Sequence, residues 1–108
     1  MTAAERQDQI IAMLRTERMV TMKRLAIALG CSMSTVNRDI ETLSANGFPI
    51  ETVRGRYGGG VKLMDWYHPQ RTSLCPEQMT LLRKIAPTLG EQELQVLNSI
   101  IDQFGPRR

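Results

Sequence analysis

Few side chains in this 108-residue chain have types suited to covalent or proton chemistry. His68 is the single histidine and sits beside Pro69 in a polar stretch, where an ordinary surface role is expected. Cys31 and Cys75 are far apart, and the charged start MTAAERQDQII lacks the apolar run of an export signal, so two reduced thiols are expected. A helix start at Cys75 would favour a thiolate, which leaves a redox role there as the weaker alternative. No paired carboxylates and no metal-ligand spacing appear, so no catalytic residue, metal or cofactor is expected. The remaining chemistry is hydrogen bonding and fixed positive charge. Ser34, Thr35, Asn37 and Arg38 lie within five residues, while Arg54, Arg56, Tyr57 and Lys62 surround four glycines, and Lys23 stands upstream. Amides and guanidinium groups make paired hydrogen bonds to planar polar edges, and Arg and Lys hold anions.

Periodicity indicates what must position these groups. From Thr2 to about Thr16, Gln7, Ile10, Ile11 and Leu14 recur at helical spacing, and Thr2 with Glu5 forms a capping-box pattern. Thr21 is an N-cap for a second helix over Met22–Leu29, with Met22, Leu25, Ala26 and Leu29 as its apolar stripe. Gly30 supplies the left-handed stop, and Ser32 caps a third helix from Met33 to about Asn46. Two helices joined by so short a turn are a helix-turn-helix signal. After Gly47 the period changes: residues 51–54 and 61–64 are short β-prone runs around a Gly-rich turn, a β-hairpin. A hairpin placed straight after such a helix pair is a wing.

On the third helix, Val36, Ile40 and Leu43 share the inner side, while Ser34, Arg38, Glu41, Thr42 and Ala45 lie opposite, with Thr35 and Asn37 on the flanks. The outer N-terminal half of this helix is the part that meets base edges in helix-turn-helix proteins. Asn suits adenine and Arg suits guanine, so Ser34, Asn37 and Arg38 are the base-contact candidates and Thr35 a phosphate contact. The plainer alternative is a solvated polar face with Arg38 paired to Glu41. Asp39 falls between the two sides; a structural ion pair to the wing, through Arg54 or Arg56, is expected. Arg54, Arg56, Tyr57 and Lys62 suit phosphate or the minor groove, the alternative being ordinary surface cations on a tight hairpin. Lys23 can reach backbone phosphate or remain in solvent.

Charge supports the same partner. The chain carries +3 overall, and residues 1–64 hold nine Lys and Arg against six Asp and Glu, whereas residues 65–108 hold five of each. The excess thus lies wholly in the first part, which suggests a polyanion on that side and protein on the neutral side. No apolar run reaches the ~18 residues of a membrane span, so a cytoplasmic chain is expected.

The stretch Val20–Leu63, VTMKRLAIALGCSMSTVNRDIETLSANGFPIETVRGRYGGGVKL, resembles the N-terminal winged helix of DeoR-type transcription regulators, most closely those carrying a C-terminal WYL effector domain. The resemblance rests on Val20-Thr21, Leu25-Ala26, Ser32, Thr35-Val36, Arg38-Asp39-Ile40, Leu43, Gly47, Pro49-Ile50, Arg54-Gly55, Gly58-Gly59-Gly60 and Leu63. Ser34 departs from the family's Arg, and Cys31 from its Val or Leu. The resemblance implies a sequence-specific regulator that binds double-stranded DNA. A chain without a WYL domain is expected, with no small-molecule effector domain evident in these residues.

Beyond a connector at 65–75, residues 76–105 read as two helices. Pro76 starts the first, Pro87 ends or kinks it, and Gly105-Pro106 stops the second. Leu94, Leu97, Ile100, Ile101 and Phe104 form one apolar side of that last helix, the candidate interface of a homodimer. The expectation is a mainly α chain with a small β-hairpin: a winged helix-turn-helix DNA-binding domain over 1–64 and a helical C-terminal region. The alternative function is a winged-helix protein-interaction module that docks through its C-terminal helix.

Overall fold

The structure is a computed structural model and describes residues 1–55 and 59–106. The first helix, α1, spans Ala3–Thr16; its Thr2 hydroxyl accepts from the Glu5 N–H at 3.1 Å. Strand β1 (Met19–Thr21) leads directly into α2 (Met22–Leu29), where the Thr21 hydroxyl accepts from the Arg24 N–H at 3.1 Å. Gly30 ends α2 in the left-handed region at φ 65°, and the Cys31 N–H donates back to the Ala26 carbonyl. A Cβ would strain that conformation, so glycine is favoured there. Helix α3 (Met33–Ala45) starts at once, with Ser32 Oγ accepting from the Thr35 N–H at 3.1 Å. Thus α2 and α3 are separated by three residues, each end satisfied by its own cap.

Strands β2 (Ile50–Val53) and β3 (Gly60–Leu63) form the expected hairpin, and β1 adds a third antiparallel strand in the order β1-β3-β2. Val20 pairs with Val61, and Thr52 pairs with Val61 from the other side. Val20, between Met19 and Thr21 in a run of only three residues, is held extended by its pairing to β3. Because β3 is central, both its edges are occupied. A Cβ at Gly60 would lie 2.8 Å from the Val20 carbonyl oxygen, so the close approach of β1 requires glycine.

One apolar core joins these elements. Ile10 and Leu14 from α1, Leu25 and Leu29 from α2, and Val36, Ile40 and Leu43 from α3 meet Val20, Ile50 and Val61 of the sheet. Compact unit Met1–Asp65 contains this core, and Trp66–Arg108 forms a second unit. The second holds α4 (Pro76–Ile85), a 3₁₀ turn at Ala86–Thr88, where Pro87 interrupts the helical ladder, and α5 (Glu91–Phe104). Gln78 Oε1 accepts from the Cys75 N–H at the start of α4, at 2.9 Å. Among the described residues, no helix is long and apolar enough to cross a membrane.

Candidate nucleic-acid interface

Helix α3 is divided lengthwise by burial. Val36, Ile40 and Leu43 are buried in the core, and Ser34, Asn37, Arg38, Glu41 and Thr42 are exposed on the other side. The turn at Gly30 and the cap at Ser32 fix where α3 begins, and the core contacts fix its rotation, so the outer residues are presented by a rigid support. Thr35 is half-buried; its hydroxyl lies 3.0 Å from the Ser32 hydroxyl at the first turn. Arg38 is exposed and forms no ion pair among the described residues. Glu41, weighed above as its partner, instead accepts a long 3.5 Å hydrogen bond from the Asn37 amide.

Asp39 is the one buried charged residue among those described. Its partner is not on the wing. Arg6 of α1 donates from Nε to Oδ2 at 2.7 Å and from a terminal nitrogen to Oδ1 at 3.3 Å, and Gln7 Nε2 lies 3.4 Å from Oδ1. The expected pairing to Arg54 is therefore corrected, and Arg56 lies outside the described residues: Asp39 faces α1 because the inner side of α3 packs on that helix, whereas Arg54 is exposed beyond the end of β2. The Arg6 hydrogen bonds, helped by Gln7, hold the Asp39 carboxyl below the ordinary carboxylate range despite the opposing effect of burial. The clamp keeps that negative charge off the outer face.

The wing candidates separate. Arg54 is exposed at the end of β2, without an ion pair among the described residues. Lys62 on β3 lies 3.2 Å from Glu51 Oε1 and 3.0 Å from Asp65 Oδ1, and hydrogen bonds to Asp65 and then Glu51 raise its pKa. Its charge is thus offset locally, and it braces β2 against β3. Arg56 and Tyr57 lie outside the described residues. Lys23 is exposed on the first turn of α2, while neighbouring Arg24 pairs with Glu17. The Met22 N–H donates to the Gly59 carbonyl at 3.3 Å, tying the start of α2 to the base of the wing.

Between α3 and the sheet lies an open groove of about 420 Å³, lined by Ser34, Asn37 and Arg54 together with Met22, Met33 and Thr52. It brings three of the candidates together. Met33 and Thr52 were missed by reasoning from polar spacing; Met33 stands one helical turn before Asn37, and that i, i+4 relation was a usable signal. Elsewhere, exposed His68 lines a 220 Å³ pocket with Trp66, Arg71 and Cys75. Among the described residues no three His, Cys, Asp or Glu gather as a metal ion would need.

Residues 6–62, more than half of the chain, match the family model described as the HTH domain. The chain belongs to the HTH domain family. The match spans α1 through β3 and so includes the clamp, the helix pair and the wing strands of this HTH chain. A curated relative from Bacillus subtilis (strain 168), "Uncharacterized HTH-type transcriptional regulator YobV", is 35% identical over 75 residues, which is 69% of this chain and 24% of the relative. The HTH chain therefore spans about a quarter of that relative's length. Among solved structures, "Structure of Lactococcus lactis ZitR, C30AH42A mutant" aligns with a TM-score of 0.50 at 14% identity, over 91% of this chain and 70% of that one. That likeness supports the fold: among the described residues, five α-helices with a small antiparallel sheet, a winged-helix arrangement.

Proposed function

We propose that this chain binds double-stranded DNA in transcription regulation, with α3 in the major groove and the β2–β3 turn on the neighbouring backbone or minor groove. The observation that carries this reading is the division of α3. One face is locked into the core, and the other offers Ser34, Asn37 and Arg38 to solvent on a domain with a net positive charge. Family membership, and the relative's naming as a transcriptional regulator, support the same conclusion. In this arrangement Ser34, Asn37 and Arg38 face base edges, and Thr35, Lys23, Arg54 and Arg56 hold phosphates. Tyr57 lies against the backbone, and Lys62 shapes the wing more than it binds. The resemblance to DeoR-type heads, a DNA-binding region over 1–64 and a cytoplasmic setting belong to this proposal.

Four cationic groups at the duplex, Lys23, Arg38, Arg54 and Arg56, predict a log–log salt slope of ~−3.6, so a fourfold rise in salt weakens binding on the order of 100-fold. Gel shifts on random duplex DNA test this. Absence of binding at ~50 mM salt, or binding indifferent to salt, refutes it. A contact set this small favours a symmetric pair of chains, through the α5 residues Leu94, Leu97, Ile100, Ile101 and Phe104. Ile100 and Phe104 are exposed and continue, with Val96, as an apolar stripe at i, i+4 spacing, whereas Leu97 is buried and contributes indirectly. Light scattering decides: a monomeric mass refutes the homodimer and leaves that stripe to another protein's surface.

A further inference from the structure

We propose that Met33 reads the C5-methyl group of a thymine, and so acts beside Asn37 as a specificity-determining residue of the α3 face. The inference rests on the DNA-binding reading above. Met33 is the first helical residue of α3, next to the Ser32 cap, and its side chain is 46% exposed. Single exposed apolar residues are ordinary on a protein surface. What distinguishes Met33 is its position: it lines the groove with Ser34, Asn37, Thr52 and Arg54, and it is exposed at the start of α3, whereas the other apolar side chains there, Met22 and Val53, are half-buried. Ile27, the most exposed of the large apolar residues at 73%, does not line that groove.

The major groove presents donors, acceptors and one apolar group, the thymine methyl. An apolar side chain on a base-reading face therefore has a single complementary target. Methionine is unbranched and polarisable, so it can follow a methyl group without a fixed pocket. Asn37 is one turn along the same stripe, and its amide fits adenine N6 and N7. The two side chains together select adjacent positions in an A·T-containing step. The Asn37 amide's present hydrogen bond to Glu41, at 3.5 Å, is long enough to be exchanged readily for a base edge.

The test begins with duplexes selected by the full chain from a random pool. Each thymine of the selected site is then replaced by deoxyuridine, which removes the methyl and nothing else. Wild type should lose about fourfold in affinity at one thymine, the equivalent of ~0.8 kcal/mol for one buried carbon. Met33→Ala should bind the thymine and uracil duplexes equally. Circular dichroism and thermal melting should match wild type, because the side chain is exposed. If every uracil replacement is silent in wild type, or the loss persists in Met33→Ala, the Met33 assignment is overturned while DNA binding stands. If no duplex is selected and none binds in a salt-sensitive way, the parent reading fails and this one with it.

Discussion

Replacing Asp39 by Ala removes the carboxylate that joins α1 to the inner edge of α3. Asp39 is 4% exposed and receives two hydrogen bonds from Arg6, with Gln7 close to the same oxygen. Breaking a fully buried pair by removing one partner costs about 3–5 kcal/mol, chiefly because the other charge is left stranded. Here the Arg6 side chain is 19% exposed and can turn toward water, so part of that penalty is relieved. The expected cost of Asp39→Ala is about 2–3 kcal/mol. For a unit of this size it corresponds to a fall in Tm of roughly 10–20 °C. Asp39→Asn keeps one acceptor and should fall between Ala and wild type. The pH dependence carries the same signature. Asp39 has a folded-state pKa below its unfolded value. Its contribution is complete above about pH 5 and is lost as pH falls below about 4 toward the folded value. The stability gap between wild type and Asp39→Asn should be constant from neutral pH to about 5 and narrow in more acidic solution. Thermal and urea melts across that range measure it. An Asp39→Ala variant within about 0.5 kcal/mol of wild type, or a gap that does not narrow in acid, refutes the clamp.

Other outcomes follow from the same geometry. Arg6→Ala combined with Asp39→Ala should destabilise by less than the two single changes added, since both remove one interaction; a double-mutant cycle by urea melts reads this directly. Gly60→Ala should cost more than about 1 kcal/mol, because its Cβ would meet the Val20 carbonyl and push β1 away from β3; retained stability in chemical denaturation would count against the close approach. Leu25→Ala, at a fully buried core position, should cost about 2–5 kcal/mol, checked by the same melts. Arg54→Ala should weaken duplex binding similarly for all sequences and make the salt slope shallower by about 0.9, whereas Asn37→Ala should relax preference at one position; binding isotherms at several salt concentrations separate the two.

The helix pair was legible from local signals. Thr21, Gly30 and Ser32 each act within three or four residues of themselves, and the apolar spacing of α2 and α3 names the core positions that the structure buries. Pro76, Pro87 and Gly105 punctuate the later helices for the same local reason. What the sequence did not disclose depends on distant pairing. β1 is three residues long and becomes a strand only because β3, forty residues on, offers it a free edge. The partner of Asp39 lies 33 residues away on α1. Charge types alone pointed to the nearer wing, because helix-on-helix rotation is set by the whole core and not by either charge. Lys62 shows the reverse error of emphasis: counted as a surface cation, it is offset by Glu51 across the strand pair and by Asp65 three residues on.

The arrangement of α3 also bears on how such a domain can change what it binds. Val36, Ile40 and Leu43 carry the packing, and Ser34, Asn37 and Arg38 make no core contact, so the outer residues can be exchanged at little expense in stability. On the DNA-binding proposal, Ser34 and Met33 are then adjustable contacts on a fixed support. Asp39 is the exception, because it lies at the seam of the two faces beside Arg38. A carboxylate there would repel a phosphate backbone unless it were neutralised from within. Arg6 supplies that neutralisation from α1, which on the DNA-binding proposal makes α1 serve the electrostatics of the outer face of α3 as well as the core. An Arg6→Gln variant that keeps a cooperative thermal melt should therefore lose duplex affinity although α1 and its core residues Ile10 and Leu14 remain in place. Moderate salt should narrow that deficit, since screening weakens the repulsion from an unneutralised Asp39.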